Sequence, residues 1–161
     1  MTVVSNTSPI TNLAAVGQLN LLQQLYTRIV IPQAVYHEMA GLRYTVPGTI
    51  EVQTLFWIQT QEVIDRTLVT ELQTELDEGE SEAIALAIEL TADRLLIDDY
   101  AGRTVASRFG LNFTGVLGVL LVAKRRGLSP SVKAVMDDLI AQAGFRVSNQ
   151  LYADVLQAAG E

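Results

Sequence analysis

The sequence predicts an α/β protein built on a mainly parallel sheet of five strands. Short apolar segments alternate along the chain with segments of helical periodicity, which is the pattern of repeated βαβ units. The 161 residues are enough to bury a hydrophobic core, and 49% of them are hydrophobic. No linker, repeat or low-complexity tract interrupts them. We therefore expect one domain over residues 1–161, with C-terminal helices from about residue 130 packed on it.

The first quarter of the chain contains two predicted strands, each followed by a helix. Residues 2–5 (TVVS) and 28–31 (RIVI) are short and apolar, as buried strands are. Ser8-Pro9 predicts a helix start, because serine is a common N-cap and proline is favoured at the first helical position. Pro32 opens a second helix, PQAVYHEMAG, and a shorter helix is expected between the two strands, near residues 19–26.

Between residues 42 and 90 the alternation of strands and helices is less regular. This part of the chain ends in the clearest helical pattern of the sequence. Residues 42–54 contain a Pro-Gly pair and indicate a loop with some extended character. Residues 56–60 (FWIQT) predict a third strand, and residues 64–76 a helix with one polar side. The helix predicted at 79–90, GESEAIALAIEL, is apolar almost all the way round, so we expect it to be largely buried.

The last part of the chain continues the alternation and then becomes helical. A fourth strand is predicted at residues 94–97 and a fifth at 112–114, with a helix between them at 101–109. Three further helices are expected at about 116–126, 130–142 and 149–159.

Composition limits the classes of protein to consider. The absence of cysteine excludes a disulfide scaffold and thiolate metal sites. The N-terminus lacks the basic segment of a signal peptide, and no apolar segment approaches the roughly 18 residues of a membrane span, so a cytoplasmic protein is expected. The net charge of −7 argues against a broad basic face for duplex nucleic acid, although it permits contact with a short strand through a few arginines and a metal.

Polar side chains collect where the predicted strands end. LLIDDYAGR brings a buried strand directly to Asp98 and Asp99, whose charges repel one another unless water or a cation lies between them. Asn6 ends the first strand, Glu38 lies in the helix after the second, and Glu82 lies in the first turn of the buried helix. Parallel strands end at one edge of a sheet, so these side chains are expected to converge. Oxygen ligands alone suit Mg²⁺ or Mn²⁺, which can activate water against a phosphodiester.

Each of these side chains also has a structural interpretation. Asp98 and Asp99 can cap the following helix, and Glu82 can complement a helix N-terminus that already has acids beside it. Glu38 taken alone is more typical of a solvated helix carboxylate, and Asn6 of a turn. Only the set as a whole favours the metal hypothesis.

The remaining polar and aromatic candidates have mixed interpretations. Arg103 lies on the helix that begins after the aspartates, close enough to that edge either to meet a phosphate or to be an ordinary surface arginine. His37 adjoins Glu38 and therefore points about 100° away around the helix, which favours a bystander over a general base. Tyr100 is interpreted as a packing or surface residue. The basic run at residues 124–126 complements a helix C-terminus, and we favour that role over RNA binding.

Taken together, these segments resemble a PIN domain, in particular the PIN-like proteins related to VapC toxins. The resemblance covers residues 2 to about 145 and depends on the order and spacing of four segments: VVSNTSPITNLA, IPQAVYHEM, GESEAIALA and LLIDDYAGRTVASRFGLNFTGVLGVLLVAK. It implies a three-layer α/β/α fold, an acidic cluster that binds Mg²⁺ or Mn²⁺, and cleavage of single-stranded RNA. It also implies a homodimer.

The resemblance assigns roles to residues of this chain by their place in those segments. The metal-binding positions are Asn6, Glu38, Glu82, and Asp98 or Asp99. The four acids among them are the expected catalytic residues. Hydroxyl residues beside the first position, including Ser8, match family positions and are expected to contact RNA. Arg103 is expected to do so because of its place near the same edge. The register of the last acid stays open between Asp98 and Asp99, because side chains alternate along a strand.

The sequence departs from the family pattern at Asn6, where the family usually has an aspartate. An asparagine carbonyl can still ligate a hard cation, but it carries no charge and accepts no proton. Two hypotheses therefore remain. The first is a metal-dependent endoribonuclease, the toxin of a toxin–antitoxin pair with an antitoxin protein as partner. The alternative is a catalytically weak or inactive PIN-like binding module that acts through a protein partner.

A third class, the phosphoacceptor receiver domain, also combines paired aspartates with a parallel sheet. Its acidic pair should end the first strand and a lone aspartate the third. Here the first strand ends in Asn6, and no aspartate precedes Asp65 in the third-strand region. The sequence therefore disfavours a receiver domain.

Overall fold

The computed structural model describes residues 1–41 and 45–161. At its centre is a five-stranded sheet in the order β3-β2-β1-β4-β5, in which every neighbouring pair is parallel. The predicted parallel sheet is confirmed, with each strand at its expected place along the chain. The strands are β1 (Val3–Ser5), β2 (Ile29–Pro32), β3 (Ile58–Gln61), β4 (Arg94–Leu96) and β5 (Phe113–Thr114).

Ten helices occur in the described residues. Those before β4 are α1 (Thr7–Ala15), α2 (Asn20–Tyr26), α3 (Gln33–Ala40), α4 (Thr49–Thr54), α5 (Arg66–Leu72) and α6 (Glu78–Glu89). Those after β4 are α7 (Tyr100–Arg108), α8 (Val116–Arg125), α9 (Val132–Gln142) and α10 (Asn149–Ala158).

The helices form two layers, one on each face of the sheet. Successive side chains of β1 point to opposite faces, and accordingly Val3 and Val4 belong to two separate hydrophobic clusters. The Val3 cluster contains buried residues of α1, α2, α3, α8 and α9, whereas the Val4 cluster contains buried residues of α5, α6 and α7. The chain therefore has the three-layer α/β/α architecture.

The strand order reverses at β1. The helices α1 and α2, which connect β1 to β2, pack on the Val3 face of the sheet, whereas α5 and α6, which connect β3 to β4, pack on the Val4 face. The backbone amide of Asn6 extends the β1–β4 pairing by a 2.9 Å bond to the Leu96 carbonyl. In open parallel sheets such a reversal leaves a crevice beyond the C-terminal strand ends. Asn6 and the segment after β4 therefore flank the crevice.

Three local expectations need correction. Part of the loop expected at 42–54 is the helix α4, while residues 42–44 of that segment lie outside the described residues. Ser8 is not the N-cap of α1, because the helix begins at Thr7 and Asn6 occupies the N-cap position. Finally, α6 begins at Glu78, so Glu82 lies in its second turn and not its first.

The C-terminal helices pack beside α8. The side chain of Glu161 accepts hydrogen bonds from the backbone amide of Val132 at 2.7 Å and from Lys124 Nζ at 3.3 Å. These bonds lower the pKa of Glu161 to about 2, with the Val132 amide as the main cause. The chain end is thereby tied to the first turn of α9. No helix among the described residues is long and apolar enough to cross a membrane.

Candidate active site

A cleft of about 410 Å³ opens at the C-terminal edge of the sheet, where the strand order reverses. Residues from the ends of β1 and β4 and from the starts of α1, α6 and α7 line it, together with one residue of α3. Oxygen-bearing side chains predominate. Five of them are carboxylates, those of Glu38, Asp77, Glu80, Asp98 and Asp99, and the amide of Asn6 lies at the end of β1 beside them.

Asn6 occupies the N-cap position of α1 without capping it. Its backbone is extended (φ −77°, ψ 176°), as N-cap residues are, but its side chain accepts no hydrogen bond from the first turn of the helix. Asn6 is only 6% exposed, and it lines the cleft. A buried amide in a polar cleft that is not used for capping has an oxygen available for a ligand.

Glu38 reaches the cleft from α3 and is held in place by two neighbours. The hydroxyl of Thr7 donates a hydrogen bond to Glu38 Oε2. A side chain at Gly79 would collide with the same carboxylate, so this glycine lets the start of α6 approach Glu38 closely. Burial raises the pKa of Glu38, and the Thr7 hydrogen bond only partly opposes this.

Asp98 and Asp99 both line the cleft, and each also accepts a backbone hydrogen bond at a helix start. Asp99 caps α7 through a 2.9 Å bond from the Gly102 amide to Oδ2. Both carboxylate oxygens of Asp98 lie within 3.1 to 3.2 Å of the Val116 amide nitrogen at the start of α8. Burial raises the pKa of Asp98. The capping interpretation is therefore correct for Asp99, whereas Asp98 accepts the first amide of α8, whose N-cap is Gly115. Both residues nevertheless line the cleft.

Glu80, which the sequence analysis did not select, is the acid that α6 contributes to the cleft. It forms a reciprocal capping box with Asp77, in which the Glu80 amide donates to Asp77 Oδ1 at 2.8 Å and the Asp77 amide to Glu80 Oε2 at 3.3 Å. Burial and the nearby charges of Asp77 and Asp99 raise the pKa of Glu80 to about 7. The carboxylates of this cleft therefore repel one another.

Glu82 does not line the cleft, which corrects the expectation that it joins the other acids. It is 4% exposed, and both of its oxygens are engaged elsewhere: Oε2 pairs with Arg66 at 2.9 Å, and Oε1 accepts from the Ala34 amide at 3.0 Å. Glu82 lies two residues after Glu80, which is about 200° around a helix. It therefore faces α3 and a different cavity.

The other sequence candidates lie around the cleft. Ser8 lines it from the first turn of α1. His37 is exposed and lines the cavity that contains Glu82 and Arg66. Arg103 and Tyr100 line a further cavity on α7, and the charge of Arg103 is near enough to Asp98 to oppose the rise in pKa that burial causes there.

The donor set of the cleft fits a hard divalent cation in its chemistry. Its acids and its amide supply oxygens only, and burial together with the charge of Asp77 raises the pKa values of Glu38 and Glu80, a penalty that a cation would relieve. Among the described residues, however, no three acids lie close enough together to form a metal site as they stand. Each carboxylate is instead held by a hydroxyl or a backbone amide, so ion binding requires these side chains to move together.

A family model for a PIN domain, DUF3368, matches residues 2–161 of the chain. The chain belongs to the PIN-domain family. No curated protein is significantly similar to it. Membership of this family indicates a nuclease-type function and RNA binding, and it agrees with the observed parallel sheet and three layers.

One signal in the sequence of this PIN domain could have identified Glu80. Asp77-Glu78-Gly79-Glu80 has the acid-x-x-Glu spacing of a capping box, which places the helix start at Glu78 and Glu80 in the first turn. The first turn of α6 is the part that reaches the sheet edge. The apolar character of the helix after Ala83 gave no such information, because it is uniform around the axis.

Proposed function

We propose that this PIN domain is a metal-dependent endoribonuclease that cleaves single-stranded RNA in the acidic cleft. One observation carries the proposal. Five carboxylates and the amide of Asn6, which does not cap its helix, line a single cleft where the strand order reverses. Mg²⁺ or Mn²⁺ is the expected cofactor, because both prefer oxygen ligands and leave positions open for phosphate and water.

The candidate ligands are Asn6, Glu38, Glu80, Asp98 and Asp99. When bound, the ion would supply an activated water and stabilise charge on the phosphate. The protein residues have separate tasks. Thr7 orients the Glu38 carboxylate, and the Val116 and Gly102 amides orient the two aspartates. Glu80, with a pKa of about 7, is protonated in about half of the molecules at neutral pH, so ion binding should displace protons and strengthen as the pH rises.

The proposal is tested by RNA cleavage with the purified protein. We expect cleavage of a single-stranded RNA in Mn²⁺, loss of cleavage in EDTA, and loss of cleavage in the Asp98→Asn/Asp99→Asn double variant. Cleavage that persists in the double variant would come from a contaminant, and the proposal would have no support. Absence of cleavage by the wild type, with Mn²⁺ still bound, would favour the alternative function below.

Asn6 gives a second test of the same site. The Asn6→Asp variant is expected to bind Mn²⁺ about tenfold more tightly, because added ligand charge raises the affinity of oxygen sites. Isothermal titration calorimetry measures the change, and Asn12→Asp, at another polar residue that lines the cleft from α1, controls for the general effect of one added charge. An unchanged affinity in Asn6→Asp would mean that Asn6 is not a ligand.

The alternative function is a PIN-like module with weak or no catalysis that acts by binding a protein. Asn6 specifically favours this alternative. An amide in place of the usual aspartate removes one negative charge from the cleft and cannot accept a proton. Retained Mn²⁺ binding without RNA cleavage, restored to activity by Asn6→Asp, would identify this protein as such a module.

The resemblance to VapC-related proteins also suggests a biological role, a partner and an assembly for this protein. We place the protein as the toxin of a toxin–antitoxin pair in the cytoplasm, with an antitoxin protein as partner and a homodimer as its assembly. The support is the resemblance of the segments around Asn6, Glu38 and Asp98. Light scattering coupled to size exclusion, with and without the product of the adjacent gene, would measure both associations.

A further inference from the structure

The cavity that Arg103 and Tyr100 line lies along the exposed side of α7. Its volume is about 590 Å³, and its walls are formed by Tyr100, Arg103, Thr104, Ser107, Arg108 and Phe113. We call it the α7 cavity. Asp99 lines the acidic cleft and Tyr100, the next residue, lines the α7 cavity, so the two concave surfaces adjoin at the start of α7.

The α7 cavity contains two aromatic rings in different situations. Tyr100 is 85% exposed, which leaves its ring open to solvent. Phe113 on β5 is partly covered, and the guanidinium carbon of Arg103 lies 5.2 Å from the centre of its ring, within the range of a cation–π contact. The cavity therefore offers one ring that is free to stack and one arginine whose guanidinium lies over the other ring.

The positive charge of Arg103 is also available to bind an anionic group. Its neighbour Arg108 is paired with Glu75 at 2.6 Å, whereas Arg103 forms no salt bridge within residues 1–41 and 45–161. Arg103 is therefore a positive charge that no close ion pair holds, beside a cleft of carboxylates and near enough to Asp98 to act on its pKa. Such a charge suits an anionic group that approaches the cleft from the side of α7.

We propose that the α7 cavity binds one nucleotide of single-stranded RNA, with its base stacked on Tyr100 and its phosphate against Arg103. This inference rests on the proposed ribonuclease function and adds a substrate contact outside the acidic cleft. Proteins hold single strands by combining aromatic rings with positive charge along a groove. The volume of the cavity is within the range of small-ligand sites. Stacking is tolerant of sequence, so this subsite positions the strand and does not select a base.

Fluorescence anisotropy with a labelled single-stranded RNA in Ca²⁺ tests the inference. We expect Tyr100→Ala to weaken binding about tenfold, since loss of one base-stacking contact weakens binding by roughly fivefold to a hundredfold or more. Tyr100→Phe keeps the ring and should bind as the wild type does. Arg103→Gln should weaken binding and reduce its dependence on salt. Phe56→Ala removes another exposed aromatic residue, at 82% exposure, and should leave binding unchanged.

An RNA with abasic riboses provides the matched substrate. It should bind the wild type and Tyr100→Ala equally, because neither can stack a base. Wild-type affinity in Tyr100→Ala, or an equal loss in Tyr100→Phe, would overturn the inference, as would absence of RNA binding by the wild type.

Cleavage measured with the same proteins separates this inference from the proposed function. Cleavage by the wild type with no effect of Tyr100→Ala on binding would overturn the inference alone. RNA binding that depends on Tyr100, in a wild type that does not cleave, would support the inference and overturn the ribonuclease function.

Discussion

Replacement of Asp99 by asparagine is expected to lower metal-dependent RNA cleavage by at least about 100-fold, and by more than the same change at Asp98. Asp99 accepts the Gly102 amide through Oδ2 only, which leaves Oδ1 to the cleft. Both oxygens of Asp98 lie against the Val116 amide, so its carboxylate is more fully committed to the protein. This geometry favours Asp99 as the aspartate that faces the ion.

The two variants are comparable because asparagine keeps a hydrogen-bond acceptor at both positions. At position 99 it can still cap α7, and at position 98 it keeps one oxygen for the Val116 amide of α8, whose N-cap is Gly115. Both single variants should therefore fold, which thermal unfolding checks. The measurement is kcat/KM for a short RNA in Mn²⁺. A larger loss in Asp98→Asn than in Asp99→Asn would reverse the assignment of the two residues.

Replacement of Glu80 by glutamine is expected to abolish most cleavage and yet to stabilise the protein in EDTA. Glutamine at the third helical position keeps the capping box with Asp77. It also removes a charge that Asp77 and Asp99 repel. We expect a gain of about 1 kcal/mol at pH 8, or about 2–4 °C in Tm. This gain is well below the free energy that corresponds to the whole pKa shift. The reason is that Glu80 is only partly buried, so solvent screens its charge.

The gain should depend on pH in a defined direction. The folded protein holds the Glu80 proton up to a pKa of about 7, whereas the unfolded chain loses it near the ordinary value of 4.5. The wild type therefore loses stability as the pH rises from about 4.5 to 7 and loses no more from this group above that range. The pKa values of Glu38 and Asp98 are also raised, so these groups likewise lower the stability as the pH rises. They do so equally in the wild type and in Glu80→Gln.

Thermal unfolding in EDTA between pH 5 and 8 measures this effect. The Tm values of the wild type and Glu80→Gln should nearly coincide at pH 5 and separate toward pH 8. Glu82→Gln is the informative comparison on the same helix: it breaks the pair with Arg66, so it should lower the Tm at both pH values. A separation between wild type and Glu80→Gln that is constant with pH would contradict the raised pKa of Glu80.

The position of the site was predictable because it depends on topology. Strand ends of a parallel sheet lie at one edge, so Asn6 and the Asp98-Asp99 pair could be placed together from the order of elements alone. Hydrophobic periodicity could not tell which of Glu80 and Glu82 lines the cleft, because α6 is buried all round after its first turn. The helix α4 was missed for a related reason: it has six residues and buries only Val52, which gives no periodic pattern.

Several helices of this protein begin at the rim of the acidic cleft: α1 after Asn6, α6 after Asp77, and α7 after Asp99, while α8 starts against Asp98. Each helix start carries about half a positive charge from its aligned peptide dipoles. The backbone thus supplies a fixed counter-charge that does not titrate and that no side-chain substitution deletes. The cleft can keep its carboxylates together without placing a lysine or arginine among them, where it would compete with the proposed metal ion for the same oxygens.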